Sequence, residues 1–558
     1  MSVAAVGSPS VRDQSMVGVL RMAKSAIAVS AGLYTFAVAV RLWAAGLIAF
    51  PLSEGSAYYV AVARNLVAGR GLVIDSIWSY STPPLILPRP AFELWQPMAT
   101  FVAALPMALT SSLGFGAAQL GGVLLGSMIA PLAWLVARDT ARRLELPERR
   151  TWFVAVGAGV LSAVAGPFLL TTAMPDSSLP FAVLAAGACL LMPAAATGKS
   201  RAMIGLGVLL GLAYLARLEA VWFGAAFALL VVVNRTGQRA AAQRVAAVAV
   251  VAALVSMPWW LRNLSVFGSA FPGQVADNIF LTRNEQIFWY AERPNLEGFL
   301  AQGLPQMAWN VAAAAWHNLV NVLLVPAAPI VAVGLATLAV AVWKRQSLPA
   351  AVRRGSLAAL LLAGALTFIA TSVLFPVATL WGTFEHASGP LLVALAVTAV
   401  LGGDAFVAWL VRHRQWARQN AWMAPAALIA LTLPLGALQI GSAAREARND
   451  LGAIAAIAAD LPAALGTAGV DEDATLITDR PIWLSDALGR PTLALPDEPV
   501  TALLDLARRF GAQAVVLVEG RGRYPSDLAT AQGECFAPVA PTATGGATVY
   551  VIDRECVR

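Results

Sequence analysis

The sequence predicts an α-helical polytopic membrane protein with a small extracytoplasmic α/β domain at its C-terminus. Three observations predict it. Of the 558 residues, 59% are hydrophobic and only 12% charged, a balance foreign to soluble globular chains. Apolar runs of span length recur from residue 25 to residue 441, and from 443 onward the composition turns to that of ordinary soluble protein. The net charge of +7 does not point to nucleic acid, because Lys and Arg sit in short clusters between apolar runs, where membrane topology puts them. Three cysteines exclude a disulfide-rich scaffold, and the absence of C-x-x-C or Cys/His clusters gives no sign of zinc.

Residues 1–24 carry Arg12, Arg21 and Lys24 and read as a cytoplasmic N-terminal segment; the apolar run that follows lacks a small-residue cleavage site and is expected to remain as an anchor. Spans are expected at 25–50, 116–137, 152–172, 179–196, 202–216, 219–233, 245–261, 318–343, 356–377, 387–411 and 421–441, about eleven in all. Apolarity alone leaves two places open: 94–114 reads as a twelfth span, and 202–233 as one helix. Loop charge decides both, because positive residues are retained on the cytoplasmic side. With eleven spans the inward loops hold Arg138, Arg142, Arg143, Arg149 and Arg150, then Lys199 and Arg201, then Arg235, Arg239 and Arg244. The later inward loops hold Lys344, Arg345, Arg353 and Arg354, then Arg412, Arg414 and Arg418. Either alternative would turn the later clusters outward. The segment 94–114, with Pro97 and Pro106, therefore reads as a pair of short helices along the outer surface.

This organisation gives a transmembrane module at 25–441, outer loops at 51–115 and 262–317, and an outer domain at 442–558. The outer loops hold most of the acids, including Glu54, Asp75, Glu93, Asp176 and Glu385, which makes that face the working one. In the tail, "EARNDLGAIAAIAADL" reads as a linking amphipathic helix. Strand-like runs at 474–479 and 512–520 flank the helical pattern "EPVTALLDLARRFG", and "ATVYVID" is a last strand, so strand and helix alternate as in a small α/β domain. Cys535 and Cys556 both fall there; a bridge and two free thiols are both open. No repeat of fixed period is present, which weighs against a transporter of inverted halves.

The chemistry concentrates in "PLSEGSAYYVAVARNLVAGRGL" (51–72), which places Glu54, Tyr59, Arg64 and Arg70 directly after the first span. Helix grammar alone makes this a surface helix with a capping carboxylate. Together with "WQPMATFVAALPMAL", "TTAMPDSSLPFAVLAAGACLL", "LARLEAVWF", "MPWWLRNLSVFGSAFP" and "GTFEHASGPLLVAL", in that order, the pattern resembles the GT-C membrane glycosyltransferases. Within them it is similar to the bacterial relatives of protein O-mannosyltransferases and of the lipid A aminoarabinose transferase. The resemblance implies transfer of a sugar from a polyprenyl-phosphate donor to a lipid, glycan or protein acceptor at the outer face, by direct displacement with inversion. Such chemistry needs a carboxylate to take the acceptor's proton and cations to stabilise the leaving phosphate.

The resemblance implies an aspartate in the first outer loop, and this sequence has Gly55 there, with Glu54 one residue upstream. Glu54 is the expected base, supported or replaced by Asp176, which matches the second-loop aspartate and is equally readable as a helix N-cap. Tyr59, Arg64, Arg89, Arg217, Arg262 and His386 are the expected substrate-binding residues. Arg217 and Arg262 are also placed where an arginine snorkels beside Trp222, Trp259 and Trp260. His386 beside Glu385 either binds a divalent cation, orients substrate or is structural; no metal ligand set is assigned. Membrane lipids and the lipid-linked donor are the expected partners. Two rival readings stand beside the enzyme: a carrier or flippase using the intramembrane charges Arg41 and Asp404, and a GT-C-like scaffold without catalysis, suggested by Gly55.

Overall fold

A computed structural model of the chain describes residues 11–233, 237–273, 277–343, 350–414, 421–519, 527–530, 534–540 and 544–557. Arg235, Lys344, Arg345 and Arg418, and residues 1–10 of the N-terminal segment, lie outside the described residues. Helix α1 (Val11–Leu47) leads to α2 (Glu54–Val67), the short strands β1 (Val73–Ile74), β2 (Ser76–Ile77) and β3 (Arg89–Pro90), and α3 (Met98–Thr110). Next come α4 (Phe115–Gly126), α5 (Ile129–Arg143), α6 (Glu148–Val164), α7 (Gly166–Ala173), α8 (Ser178–Ala196), α9 (Ser200–Ala216), α10 (Ala220–Val233) and α11 (Gln238–Phe267). After α12 (Leu296–Ala301), α13 (Gly303–Trp316) continues as a π-helical stretch, His317–Leu324. Then follow α14 (Ala328–Trp343), α15 (Ala350–Arg353), α16 (Ser356–Leu374), α17 (Thr383–Ala387) and α18 (Gly389–Arg414). The last part is α19 (Met423–Thr467), β4 (Thr475–Thr478), α20 (Pro481–Leu488), β5 (Thr492–Ala494), α21 (Val500–Phe510), β6 (Ala512–Leu517), β7 (Phe536–Pro538) and β8 (Thr548–Ile552).

Among the described residues, seven helices are long and apolar enough to cross a membrane, and two bent pairs, α6 with α7 and α13 with α14, act similarly if each is one span. The shorter α9 and α10 supply the remaining expected segments. Helix direction tests their count. Gly207 of α9 packs on Val248 and Val251, and Gly211 on Ala252 and Val255, so α9 and α11 run parallel. A Cβ at Gly207 would lie 2.6 Å from that of Val251, which is why glycine stands at this crossing. Parallel α9 and α11 require α10 to return between them, so 202–233 is two antiparallel helices broken at residues 217–219, and not one. By the same reasoning α1 and α6 run parallel through Leu33 on Gly159 and Arg41 on Ala163. Helices α6 and α18 run antiparallel, through Gly157 on Val400 and Arg150 on Asp404.

Several expected boundaries move. The segment 94–114 forms one helix, α3, rather than two; it leaves Phe101, Leu105 and Leu109 exposed as an apolar face. The expected span 318–343 is divided by a 118° bend between the π-helical stretch and α14. The boundary at 441 falls inside α19, whose 45 residues run on without a break. At about 1.5 Å per residue this helix is roughly twice as long as a hydrocarbon core is thick, so its second half serves as the outer domain's own helix.

That half forms one layer of an α/β/α sandwich. The six-stranded sheet has the order β2-β5-β4-β6-β8-β7, parallel from β2 to β6 and antiparallel thereafter. Alternating residues face opposite sides: Leu476, Ala514 and Val516 pack on Ile457, Leu461 and Leu465 of α19, while Ile477 and Val515 pack with Leu503 and Leu506 of α21. The edge strand β2 comes from the first outer loop, pairing Ser76 with Thr492 and Ile77 with Leu493. The second outer loop is fixed as well, since the Glu498 carboxylate accepts from the backbone N–H groups of Tyr290, Ala291 and Glu292. The tail is thus joined to both loops above the membrane module.

Cys535 and Cys556 are bridged, with Cα atoms 5.9 Å apart, and Cys189 is buried. A membrane-impermeant maleimide is expected to label no cysteine in intact cells before reduction and the two tail cysteines after it, scored by mass shift. Labelling without reductant would break this pairing.

Candidate active site

The local sequence sets α2 in place first. Ser53 caps it, accepting from Ser56 N at 3.1 Å. Ala57, Val60 and Arg64 face one way, toward α19 and α20, where with Phe50, Ile454 and Trp483 they line an apolar cavity of about 300 Å³. Tyr59 points the other way and is buried.

On Tyr59's side four separate segments meet. Asp176, in the turn between α7 and α8, is 9% exposed. Its Oδ1 accepts from Ser178 N at 2.7 Å, Ser178 Oγ at 2.6 Å and Ser177 Oγ at 3.4 Å, and lies 3.0 Å from His386 Nδ1. Ser178 Oγ is itself 2.8 Å from His386 Nδ1. From the turn between α9 and α10, Arg217 forms a bidentate pair with Glu219, at 3.1 and 2.6 Å, and donates to Ser177 Oγ at 2.9 Å. Its Nη2 also reaches the carbonyl of Thr383, the first residue of α17, at 3.4 Å. The Tyr59 phenol is the fourth member, neighbouring Ser177, Asp176, Arg217 and Glu219.

Charge follows from these contacts. Burial pushes the Asp176 carboxyl up, but the His386 charge and the hydrogen bonds from His386 and Ser178 outweigh it and hold Asp176 well below the usual carboxylate range. Burial pulls His386 down, and Asp176 more than compensates, so the imidazole binds its proton more tightly than a free histidine. Burial, with Asp176 adding, raises Tyr59 far above the ordinary phenol value, so it remains a neutral donor. With Nδ1 held by the carboxylate, Nε2 is the imidazole nitrogen left for other partners, and Asp176 Oδ2 the carboxylate oxygen left.

The expected site residues therefore divide. Tyr59, Asp176, Arg217 and His386 come together; Glu54, Arg64, Arg89 and Arg262 do not join them. Glu54, the expected base, is turned toward α20 and clamps it: Oε2 accepts from Ile482 N at 2.9 Å and Oε1 from Trp483 N at 3.1 Å. These are the first amides α20 has to offer, since Pro481 at its start has none, and a carboxylate at a helix N-terminus is doubly favoured. Arg64 pairs with Asp486 of the same helix and donates to Leu113 O at 2.8 Å. Arg89 is fully buried, paired with Glu93 at 3.1 Å and donating to Thr82 O, and so shapes the first outer loop. Arg262 lies 4.9 Å over Trp259 and 5.1 Å over Phe267, near Tyr58 and Glu93. Its neighbour Tyr58 is in edge contact with Tyr59, centroids 6.0 Å apart, so Arg262 borders the site through an aromatic wall.

Glu219, Ser177 and Ser178 belong to the cluster although the sequence did not single them out. The signal was present: in "RLE" two opposite charges stand at a break between apolar helices, where each demands a partner. As for a divalent cation, no three His, Cys, Asp or Glu side chains gather among the described residues, and Asp176 spends one oxygen on protein donors. What is left open, Asp176 Oδ2 and His386 Nε2, falls short of a cage built by the protein alone, and a divalent cation would need substrate oxygens beside them.

No family model matches the chain, and no curated protein matches its sequence. Among solved structures the chain is similar to ArnT from Cupriavidus metallidurans in the apo state, with TM-score 0.53 and 12% identity over 97% of this chain and 99% of that one. It is similar also to the archaeal oligosaccharyltransferase AglB from Archaeoglobus fulgidus in complex with an inhibitory peptide and a dolichol-phosphate (TM-score 0.52, 14% identity, 95% of this chain and 74% of that one). The A. fulgidus enzyme in complex with zinc and sulfate gives a TM-score of 0.50 and 15% identity, over 94% and 74% of the two chains. The chain has the GT-C membrane fold, with a C-terminal α/β domain.

Removing the Glu54 clamp leaves two buried amides without an acceptor. Glu54→Ala is expected to destabilise the outer domain by about 2–3 kcal/mol, read as a lower urea midpoint and faster proteolysis of the tail, with Glu54→Gln milder. A Glu54→Gln protein of unchanged stability that has lost all activity would return this residue to the reacting centre.

Proposed function

We propose that the chain is a membrane glycosyltransferase that moves a sugar from a polyprenyl-phosphate donor to an acceptor at the outer face. The observation that carries this reading is the convergence of Tyr59, Asp176, Arg217 and His386, from four segments far apart in sequence, at one end of the helical module. The GT-C fold supports the reaction class, since the ArnT and AglB structures belong to glycosyltransferases and one of the latter holds a dolichol-phosphate. The basic residues Arg143, Lys199, Arg244 and Arg354 gather at one common cavity, on the loops expected to be cytoplasmic. That arrangement supports a cytoplasmic N-terminus and an extracytoplasmic tail.

In the proposed mechanism Asp176 holds His386 Nδ1–H, and Nε2 of the neutral imidazole takes the acceptor's hydroxyl proton. The acceptor oxygen attacks the anomeric carbon as the bond from that carbon to the phosphate oxygen breaks, and the bonding pair leaves with the phosphate. Arg217, cationic and oriented by Glu219, faces the negative charge that develops there. Tyr59 donates without ionising. Asp176, held below the usual carboxylate range, is the weaker base of the two and acts by positioning the imidazole and raising its basicity.

The charges required by a carrier are otherwise engaged. Asp404 is paired with Arg150 through two contacts, at 3.1 and 2.5 Å. Arg41 donates to Thr172 Oγ1 and the Ala163 carbonyl, both at 3.1 Å, and so secures the break between α6 and α7. The scaffold reading rests on Gly55, which lies one helical turn before Tyr59 on the same face. A Cβ there meets only Ser53 Oγ, at 3.9 Å, so an aspartate fits.

Three outcomes test the proposal in proteoliposomes with a polyprenyl-phosphate-linked sugar. His386→Gln and Asp176→Asn are expected to lower kcat about 10²- to 10⁴-fold with donor binding kept; full activity in both would remove the mechanism. The acidic limb of kcat/KM in the native protein should lie above about pH 6.5, the free imidazole value, and move down in Asp176→Asn. The sign is fixed by the raised His386 pKa: its ion pair is complete below about pH 6.5 and is lost as pH rises through the folded value, while the base function appears. Gly55→Asp is expected to change transfer less than about tenfold; a gain of several orders of magnitude would make this protein a GT-C scaffold lacking its base.

A further inference from the structure

At the opposite end of the module from Asp176, the ends of α5 and α8 and the starts of α11 and α16 line a second cavity of about 720 Å³. Four cations line it, Arg143, Lys199, Arg244 and Arg354, against one acid, Asp139. Asp139 is already neutralised: both its oxygens take Arg143 Nε, at 2.8 and 2.9 Å, and Oδ2 also takes Ser356 Oγ at 2.9 Å. Arg244 donates to the Ala196 carbonyl at 2.6 Å and packs over Gly198. Lys199 and Arg354 are exposed and make no side-chain hydrogen bond or ion pair among the described residues. The cavity therefore combines a structural Arg143–Asp139 pair with two uncommitted cations.

The remaining wall is apolar. Leu135, Leu190 and Pro193 line it, and Leu135 is exposed on the membrane-facing part of α5. A cavity with cations at one side and hydrocarbon at the other matches a phosphodiester that carries acyl chains. Inorganic phosphate would satisfy the cations and leave the apolar wall wet, whereas a zwitterionic head would bring its own cation toward Lys199 and Arg354. We infer that this cavity binds the head group of an anionic phospholipid of the leaflet opposite the active site, with Lys199 and Arg354 on the phosphate and an acyl chain along Leu135 and Leu190.

The experiment is a thermal-unfolding titration of the purified full chain in a neutral detergent with short-chain phosphatidylglycerol, phosphatidylcholine and sodium phosphate as separate probes. Phosphatidylglycerol is expected to raise the Tm in a saturable way, and the other two to leave it unchanged. Lys199→Ala with Arg354→Ala should shift the phosphatidylglycerol midpoint to at least tenfold higher concentration. Lys199→Arg with Arg354→Lys, and separately Arg201→Ala, which is exposed outside the cavity, should keep it. Equal shifts from phosphatidylglycerol and phosphatidylcholine, or an undiminished midpoint in the double alanine variant, would overturn the site. A shift from sodium phosphate alone, removed by the same variant, would overturn the lipid as occupant and leave an inorganic anion in its place. A double variant that unfolds before lipid is added is replaced by the single variants, each expected to weaken binding at least threefold, and unchanged binding in both overturns the site.

Discussion

One oxygen atom, Oδ1 of Asp176, orders the outer site. It accepts from the start of α8 and faces an imidazole 210 positions further along the chain. A carboxylate withdrawn from water remains ionised only if its hydration is replaced, and here a backbone amide, two hydroxyls and His386 replace it. Ser177, beside it, receives Arg217, and Arg217 is in turn fixed by Glu219. Three outer turns thus share one hydrogen-bonded network, and the relative placement of imidazole and guanidinium depends on it. Because Oδ1 is spent on architecture, the open atoms are Oδ2 and Nε2.

Two acids, Glu54 and Asp176, show how the same helix-start physics leads to different roles. Both sit where backbone amides of a helix are unpaired, and both are nearly excluded from solvent. Glu54 gives one oxygen to each of two amides of α20, so its acceptor capacity goes into docking the tail on α2. Asp176 meets a helix with a single oxygen and keeps its second for other partners. The number of oxygens committed to the protein, more than burial or residue type, separates the docking acid from the one fit to support chemistry. Arg64 extends the docking contact by pairing with Asp486 on the same helix, and the apolar cavity beside it belongs to that junction, behind Tyr59.

What could be read in the sequence was whatever has a short-range cause. Span length and the inward placement of Arg and Lys gave the helix order, and the antiparallel return of α10 bears out the break at "RLE" that loop charge required. Tyr59, Asp176, Arg217 and His386, which the fold gathers, stood out through the order of the motifs that hold them. The contacts of Glu54 and Arg64 were not legible, because their partners lie 428 and 422 positions away and nothing local announces them. Strand β2 was invisible for a related reason: two residues carry no alternation, and their pairing with β5 is fixed only by the folded tail. The boundary at 441 was placed by a change of composition, but α19 continues through it, because an amphipathic pattern can follow an apolar one without any helix-stopping residue.

The positions of the outer arginines carry a further argument. Retention of positive residues on the cytoplasmic side acts on short loops and weakens with distance from a span end. Arg89, Arg283 and Arg480 lie well inside long outer segments and are each ion-paired, so their presence outside needs no functional cause. Arg217 has no such exemption. The turn between α9 and α10 is three residues long, its arginine side chain is 13% exposed, and its position opposes both the topological bias and the cost of burying a guanidinium. Glu219 offsets the charge, but a pair of apolar residues would serve a plain turn at less cost. What the arginine adds is its contact with Ser177, one residue from Asp176, and a cation held against the outer site where no cation should otherwise persist. A plain turn therefore does not account for the position of Arg217, whereas a network shared with Ser177 and Asp176 does.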